Sequence, residues 1–169
     1  MAIALSLTNP ALKWMMERMS SMRLLVTGHN GYIGSVLSGM LLEKGYGVTG
    51  FDIDYYDDCG LSPSPYSVPQ IKKDIRDVSA EDLKDVDAII HLAGLSNDPL
   101  GELSADLTDD INLKATIRLA VLAKRSGVKR FIYASSQSMY GISKADVELD
   151  EDDSEKNPLT AYARTKWEA

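Results

Sequence analysis

The sequence holds a single cysteine, Cys59, so no disulfide can form within the chain, and a reducing compartment, the cytoplasm, is expected. No apolar run approaches the ~20 residues of a membrane-spanning helix, so no membrane partner is expected. Positive charge is in deficit, with 18 Lys and Arg against 25 Asp and Glu. The formal charge of −7 argues against nucleic acid or an anionic membrane surface as the main partner. It leaves a phosphate ligand open, because main-chain amides bind phosphate without a basic side chain. No metal site and no internal repeat are expected. At 169 residues the chain can bury one sizeable core, so one domain is the default.

Residues 1–21 read as an N-terminal extension separate from the rest. Asn9-Pro10 is a helix start, and Leu12, Trp14, Met15, Met16 and Met19 would form a short apolar helix. The stretch lacks the basic start and unbroken apolar core of a signal peptide. From Met22 onward, strand and helix patterns alternate. Strands are expected at 23–27, 48–53, 70–73, 87–92 and 129–134. Helices are expected at 32–44, with Ile33, Val36, Leu37, Met40 and Leu41 on one side, at 79–84 with Ser79 as cap and Asp82 in the capping-box position, and at 104–125. A last helix begins near Leu159, after an acidic loop at 146–156. Residues 54–69, with three prolines, read as loop. Alternation of this kind predicts an α/β fold, a Rossmann-type doubly wound parallel sheet over residues 22–169.

The segment Gly28-His29-Asn30-Gly31-Tyr32-Ile33-Gly34 joins the first strand to the first helix. Gly28 permits a tight turn, Gly31 lets the backbone approach a pyrophosphate, and Gly34 lets helix and strand pack closely. The free amides around Asn30, Tyr32 and Ile33 would then meet the anion. Asp52, 18 residues past Gly34, stands at the end of the second strand. A carboxylate there accepts hydrogen bonds from an adenosine ribose and repels a 2′-phosphate, which favours NAD over NADP. Asp54 is a rival for that role.

Tyr162 and Lys166 are four apart at a helix start and so share a face. A tyrosine at its free pKa of about 10 is a poor base. A lysine ammonium beside it favours the phenolate, which could take a proton from a substrate hydroxyl as hydride leaves the same carbon. Lys166 could also hold the nicotinamide ribose. Ser136 follows the fifth strand, at the sheet edge where such folds bind ligands, and could steady the reacting oxygen.

These residues, in this order, resemble the extended short-chain dehydrogenase/reductase family, and within it the NAD-dependent nucleotide-sugar epimerase/dehydratase group, of the UDP-glucose 4-epimerase type. The likeness spans residues 22–169. It rests on Thr27 to Gly34, Asp74-Ile75-Arg76-Asp77, His91-Leu92-Ala93-Gly94, Asn112, Ala134 to Gly141, and Tyr162-Ala163-Arg164-Thr165-Lys166. The resemblance implies that Asp74 and Ile75 contact the adenine and that Leu92, Ala93 and Gly94 line the cofactor. It implies that Ser136, Tyr162 and Lys166 form a catalytic triad. His91 reads as a core histidine and is left outside the site. The implied partner is a small molecule, a nucleotide-sugar, and a homo-oligomer paired through long helices is expected.

Two departures from the family pattern matter. The family's sugar 4,6-dehydratases carry an Asp-Glu pair directly after the catalytic Ser or Thr, where this sequence has Gln137 and Ser138. Neither serves as a carboxyl acid or base, so epimerisation or simple oxidoreduction of a sugar hydroxyl is expected rather than dehydration. Family members also run to about twice this length. The resemblance therefore implies a domain incomplete at its C-terminal side, without its substrate half. The fifth strand would be left as a sheet edge, and a second copy would pair with it or the C-terminal segment would move. An NAD-binding module without turnover, and a protein that keeps the fold for interaction only, are the alternatives to an enzyme.

Overall fold

Five parallel strands, β1 (Arg23–Thr27), β2 (Gly47–Asp52), β3 (Gln70–Lys72), β4 (Ala88–His91) and β5 (Arg130–Tyr133), form one sheet in the order β3-β2-β1-β4-β5. The computed structural model describes residues 22–56, 59, 66–96, 98–142 and 148–169. The helix expected near the N-terminus, half of the 54–69 loop and the start of the acidic loop lie outside the described residues. Thr27 stands opposite Phe51 on one side and His91 on the other, and His91 stands opposite Tyr133. All strand C-termini therefore open onto one edge. The order reverses direction between β1 and β4, the switch point where a ligand crevice forms in such sheets.

Right-handed crossovers place helices on opposite faces when the strand order reverses. Side chains alternate along each strand. Leu25, Phe51 and Ile89 thus share one face with Leu119 and Ala123 of the helix at Ala115–Arg125, and Ile75, Val78 and Leu83 complete this core. Helix α1 (Tyr32–Glu43) packs on β1 and β2. The face of α1 differs from the sequence expectation. Its buried residues are Gly34, Ser38 and Gly39, while Ile33, Val36 and Met40 are exposed. The cause is the closeness of helix and strand: a Cβ at Gly34 would lie 2.1 Å from the Gly28 carbonyl oxygen. Only small residues fit the contact, so the apolar stripe is turned outward.

The long helix expected at 104–125 is a composite. Helix α2 (Asp98–Leu103) precedes it, and Ser104 caps α3 (Ala105–Thr108) by accepting from Leu107 N. A π-helical turn, Asp109–Lys114, then leads into α4 (Ala115–Arg125). The wide turn accommodates buried Asn112, whose side chain is engaged outside the helix. The helix expected at 79–84 is a single 3-10 turn, Glu81–Leu83. Asp82 does accept from the Ser79 amide at 2.8 Å, but Asp85 then adopts a left-handed conformation (φ 63°) and ends the turn. Helix α5 (Ala161–Glu168) starts at Thr160, whose hydroxyl accepts from Ala163 N at 3.1 Å. At the sheet edge Ile132 of β5 is 55% exposed, unusual for a parallel strand. Among the described residues no helix is long and apolar enough to cross a membrane.

Candidate active site

The glycine turn sits at the switch point, where Gly28 N donates to Phe51 O at 2.8 Å. Gly28 has φ +71°, and a Cβ there would meet Ala93 N at 2.8 Å, so the turn lies against the loop after β4. Gly31 is different. A Cβ on it would touch only the Gly28 carbonyl, at 3.2 Å, and otherwise enter open space. Gly31 also caps α1 without any side-chain hydrogen bond, so the leading helix amides remain available to an anion. The exposure of Tyr32 and Ile33 keeps this helix end open.

Asp52 is tied to that turn. Its Oδ2 accepts from Asn30 N at 3.0 Å and its Oδ1 from Asp54 N at 2.9 Å. A carboxylate has about four acceptor positions, so both oxygens keep capacity for ligand hydroxyls. Asp54, the rival, is spent on the protein. Its side chain, 1% exposed, accepts from Asn30 Nδ2 at 2.6 Å and Gln70 Nε2 at 3.1 Å and pairs with Lys72 at 3.3 Å. Burial works to raise its pKa, but the bonds from Asn30 and Lys72 win and hold it below the ordinary 3.8. The pattern missed His29, which lies beneath the turn at 3% exposure with its ring against Gly50. Its Nδ1 has no hydrogen-bond partner among the described residues and stands 3.9 Å from Asp52 Oδ2.

Asp74 caps the 3-10 turn Ile75–Asp77 and clasps Arg76, with Oδ1 at 3.0 Å from Nε and Oδ2 at 2.6 Å from Nη2. This bond to the Arg76 guanidinium keeps the Asp74 carboxyl below its ordinary range. The Ile75 side chain belongs to the core, so what it can offer a ligand is its main chain. Leu92, Ala93 and Gly94 leave β4 half-buried. Asn112 clamps the end of that loop, accepting from Leu95 N at 2.8 Å and donating to Leu95 O at 3.0 Å. Gly94 is hemmed in, because a Cβ would lie 2.9 Å from Asn112 Oδ1 and 3.8 Å from Lys166 Nζ.

Lys166 is 7% exposed, donates to Ala134 O at 3.0 Å, and stands 4.7 Å from the Tyr133 ring centroid and 5.9 Å from that of Tyr162. Burial pulls its pKa down to about 8. Ser136 accepts from Ser138 N at 3.2 Å, and the two hydroxyls are 2.8 Å apart. The three candidate residues thus share the sheet's carboxyl edge, but Ser136 bonds to Ser138 and Lys166 to Ala134 rather than to each other. Beside them a cleft of about 210 Å³ is lined by Tyr133, Ser135, Met139, Lys156, Lys166 and Trp167. The buried Tyr133 hydroxyl has no hydrogen-bond partner among the described residues, and burial, with Tyr162 nearby, pushes its pKa up to about 12. Ser138 and Tyr133 carried no motif of their own. Asn112, already a mark of the family resemblance, also stands out as a short amide in a helix interior, where it is normally disfavoured.

Comparison with known proteins gives the family. A solved structure, MoeE5 in complex with UDP-glucose and NAD, superimposes with a TM-score of 0.73 at 33% identity, covering 86% of this chain and 46% of that one. The UDP-glucose 4-epimerase of Corynebacterium glutamicum is 31% identical over 150 residues, 86% of this chain and 44% of its own length. A UDP-glucose 4-epimerase sequence of Klebsiella pneumoniae is 32% identical over 133 residues, 71% of this chain and 93% of its own. The chain thus spans about half the length of the MoeE5 and Corynebacterium proteins. The family model described as the NAD dependent epimerase/dehydratase family matches residues 24–169, and the chain belongs to that family.

Proposed function

We propose that residues 22–169 are the NAD-binding half of a nucleotide-sugar epimerase, or of a related oxidoreductase acting on a sugar hydroxyl. The observation that carries this reading is the cradle at Gly31, open to solvent and tethered through Asn30 to Asp52. Gly28, Asn30, Gly31, Tyr32, Ile33 and Gly34 would hold the pyrophosphate. Asp52 would hold the adenosine ribose, Asp74 and Ile75 would flank the adenine, and Leu92, Ala93 and Gly94 would form the floor. Tyr162 and Lys166 would hold the nicotinamide ribose. NAD, when bound, supplies a reversible hydride acceptor. Tyr162 takes the proton of the sugar hydroxyl and later returns it, and Lys166 stabilises negative charge on the phenol oxygen. Ser136 donates its hydroxyl hydrogen to the reacting oxygen, which assigns Ser138 the role of donor to Ser136.

Gln137 and Ser138 offer no carboxyl for removal of water, which supports epimerisation over dehydration. The reading extends to a homo-oligomer in the cytoplasm. Calorimetric titration with NAD and NADP, followed by assay of UDP-sugars for interconversion, tests it. NAD binding in preference to NADP, without epimer formation by this half alone, is the expected result. Full UDP-sugar epimerase activity of the 169-residue chain would refute the reading of it as the cofactor half, and no binding of NAD at millimolar concentration would end the reading.

A further inference from the structure

His91 is fully buried at the end of β4, yet both ring nitrogens have partners. Nδ1 lies 2.6 Å from Thr27 Oγ1, and Nε2 lies 2.8 Å from Thr116 Oγ1. The neighbours decide which nitrogen carries the proton. Thr116 has one hydroxyl hydrogen and gives it to the Asn112 main-chain oxygen at 2.7 Å. Its oxygen must therefore accept from His91 Nε2–H, which leaves Nδ1 as a bare acceptor. Thr27 then directs its hydroxyl hydrogen at Nδ1. The Thr27 lone pairs face the amides of Leu92 and Ala93, each 3.2 Å away. Each hydroxyl and ring hydrogen has one acceptor, and the chain of bonds runs in a single direction.

We propose that His91 is a positioning residue: a neutral, Nε2-protonated imidazole that locks the floor at Leu92 and Ala93 to the strand bearing the glycine turn and to the π turn bearing Asn112. The inference rests on the reading of residues 92–94 as the cofactor floor. The floor is held at its start by Thr27 and at its end by Asn112, and His91 with Thr116 joins these two anchors. Gly94, between them, faces Lys166 Nζ, so movement of the floor would reach the chemistry half of the site. The groups facing the ring are Thr27 from β1, Phe131 and Tyr133 from β5, Thr116 from α4 and Lys166 from α5. None is an anion that would stabilise an imidazolium. Burial, reinforced by the Lys166 charge, pushes the His91 pKa down to about 3. Protonation of Nδ1 would also leave two hydrogens directed at each other.

Nitrogen-15 NMR of the 169-residue chain tests the tautomer directly, and the sequence contains only two histidines to distinguish. The expected result is a bare Nδ1 and a protonated Nε2 for His91, unchanged from about pH 5 to about pH 8, the range where histidine ordinarily titrates. An Nδ1-protonated ring, a mixture of tautomers, or titration within that range would overturn the proposal. Thr116→Val removes the acceptor of the Nε2 proton and is expected to weaken NAD binding about tenfold or more, with Thr116→Ser restoring it. Wild-type affinity in Thr116→Val would also overturn it. Should the unaltered chain fail to bind NAD, the proposed function falls, while the NMR result still decides the tautomer.

Discussion

Lys166→Met removes a charge that the fold has stripped of water. The lysine is lowered from 10.5 to about 8 in the folded chain. At about 1.4 kcal/mol per pH unit, carrying the ammonium at neutral pH costs the native state about 3 kcal/mol relative to the unfolded chain. Methionine has a similar length and no such cost. It forfeits the bond to Ala134 O, worth about 1 kcal/mol, and the contact with the Tyr133 ring, worth up to about 1 kcal/mol. The variant is therefore expected to be more stable than the parent at about pH 7 by about 1 kcal/mol. The pH dependence is the sharper signature. Between about 8 and 10.5 the unfolded parent binds more protons than the folded one, so parent stability rises with pH through that window and is flat below it. Lys166→Met lacks that rise, and contributions from all other groups cancel in the difference. Urea unfolding of both proteins from about pH 7 to about pH 10 should show the parent gaining about 2.5 kcal/mol on the variant. A difference that stays constant over that range would refute the burial of a charged Lys166.

Asp52→Ala is expected to weaken NAD binding by about ten- to a hundredfold, the worth of a charge-assisted hydrogen bond, and to narrow the preference over NADP. Calorimetry with both cofactors checks it, and an unchanged ratio would remove Asp52 from the ribose site. A Cβ at Gly50 would lie 2.3 Å from the enclosed His29 ring. Gly50→Ala should cost about 1–3 kcal/mol in the parent and much less in a His29→Ala background, so an additive double-mutant cycle would contradict the packing. At Gly141 the left-handed φ of +66° combines with Asn157 O, only 2.0 Å from where a Cβ would stand. Gly141→Ala should release the segment around Asn157 to proteolysis, and unchanged cleavage would count against this contact. Thr160→Ala removes the cap of α5 and should cost about 1 kcal/mol, read as faster amide exchange in that helix.

The elements were legible where periodicity and punctuation agree. The first strand was bounded correctly because an apolar run meets Gly28, and alternation of strands and helices predicted a parallel sheet, whereas its order β3-β2-β1-β4-β5 needed the structure, since crossover handedness fixes the face each helix covers and not which strands are neighbours. Apolar spacing failed for α1, because it assumes that a helix buries its large residues. Here the close approach at Gly34 reserves the contact for glycine and serine. The 104–125 pattern predicts one helix because a π turn shifts the period only locally. Within the site, Gly28 to Gly34 and Asp52 do converge, and the structure separates Asp52 from Asp54 by assigning the latter's hydrogen bonds to Asn30, Gln70 and Lys72. No sequence pattern could do that, since Asp54 takes its geometry from a left-handed backbone (φ 62°). The His91 bonds were hidden because they depend on distance across strands and helices, not along the chain, whereas the Ser138 hydroxyl on Ser136, two residues away, depends on the 3-10 turn that follows Ser136.

The two halves of the site are held by different means. The cradle is built of main chain on β1 and β2, with Gly28 and Asp52 joined to their neighbours by short backbone bonds. The chemistry half rests on α5, which contacts from other elements hold in place. Its position comes from outside itself. Glu102 Oε1 accepts from Ala161 N at 2.6 Å, Asp109 pairs with Arg164, and Ser135 Oγ donates to Lys166 O at 3.2 Å. Two of these anchors come from helix α2 and the π turn, the region that also carries Asn112. The placement of Tyr162 and Lys166 therefore depends on the same turn that fixes the floor at Leu95. A disturbance of the π turn should reach floor and chemistry together, whereas one at Asp52 should stay with cofactor recognition.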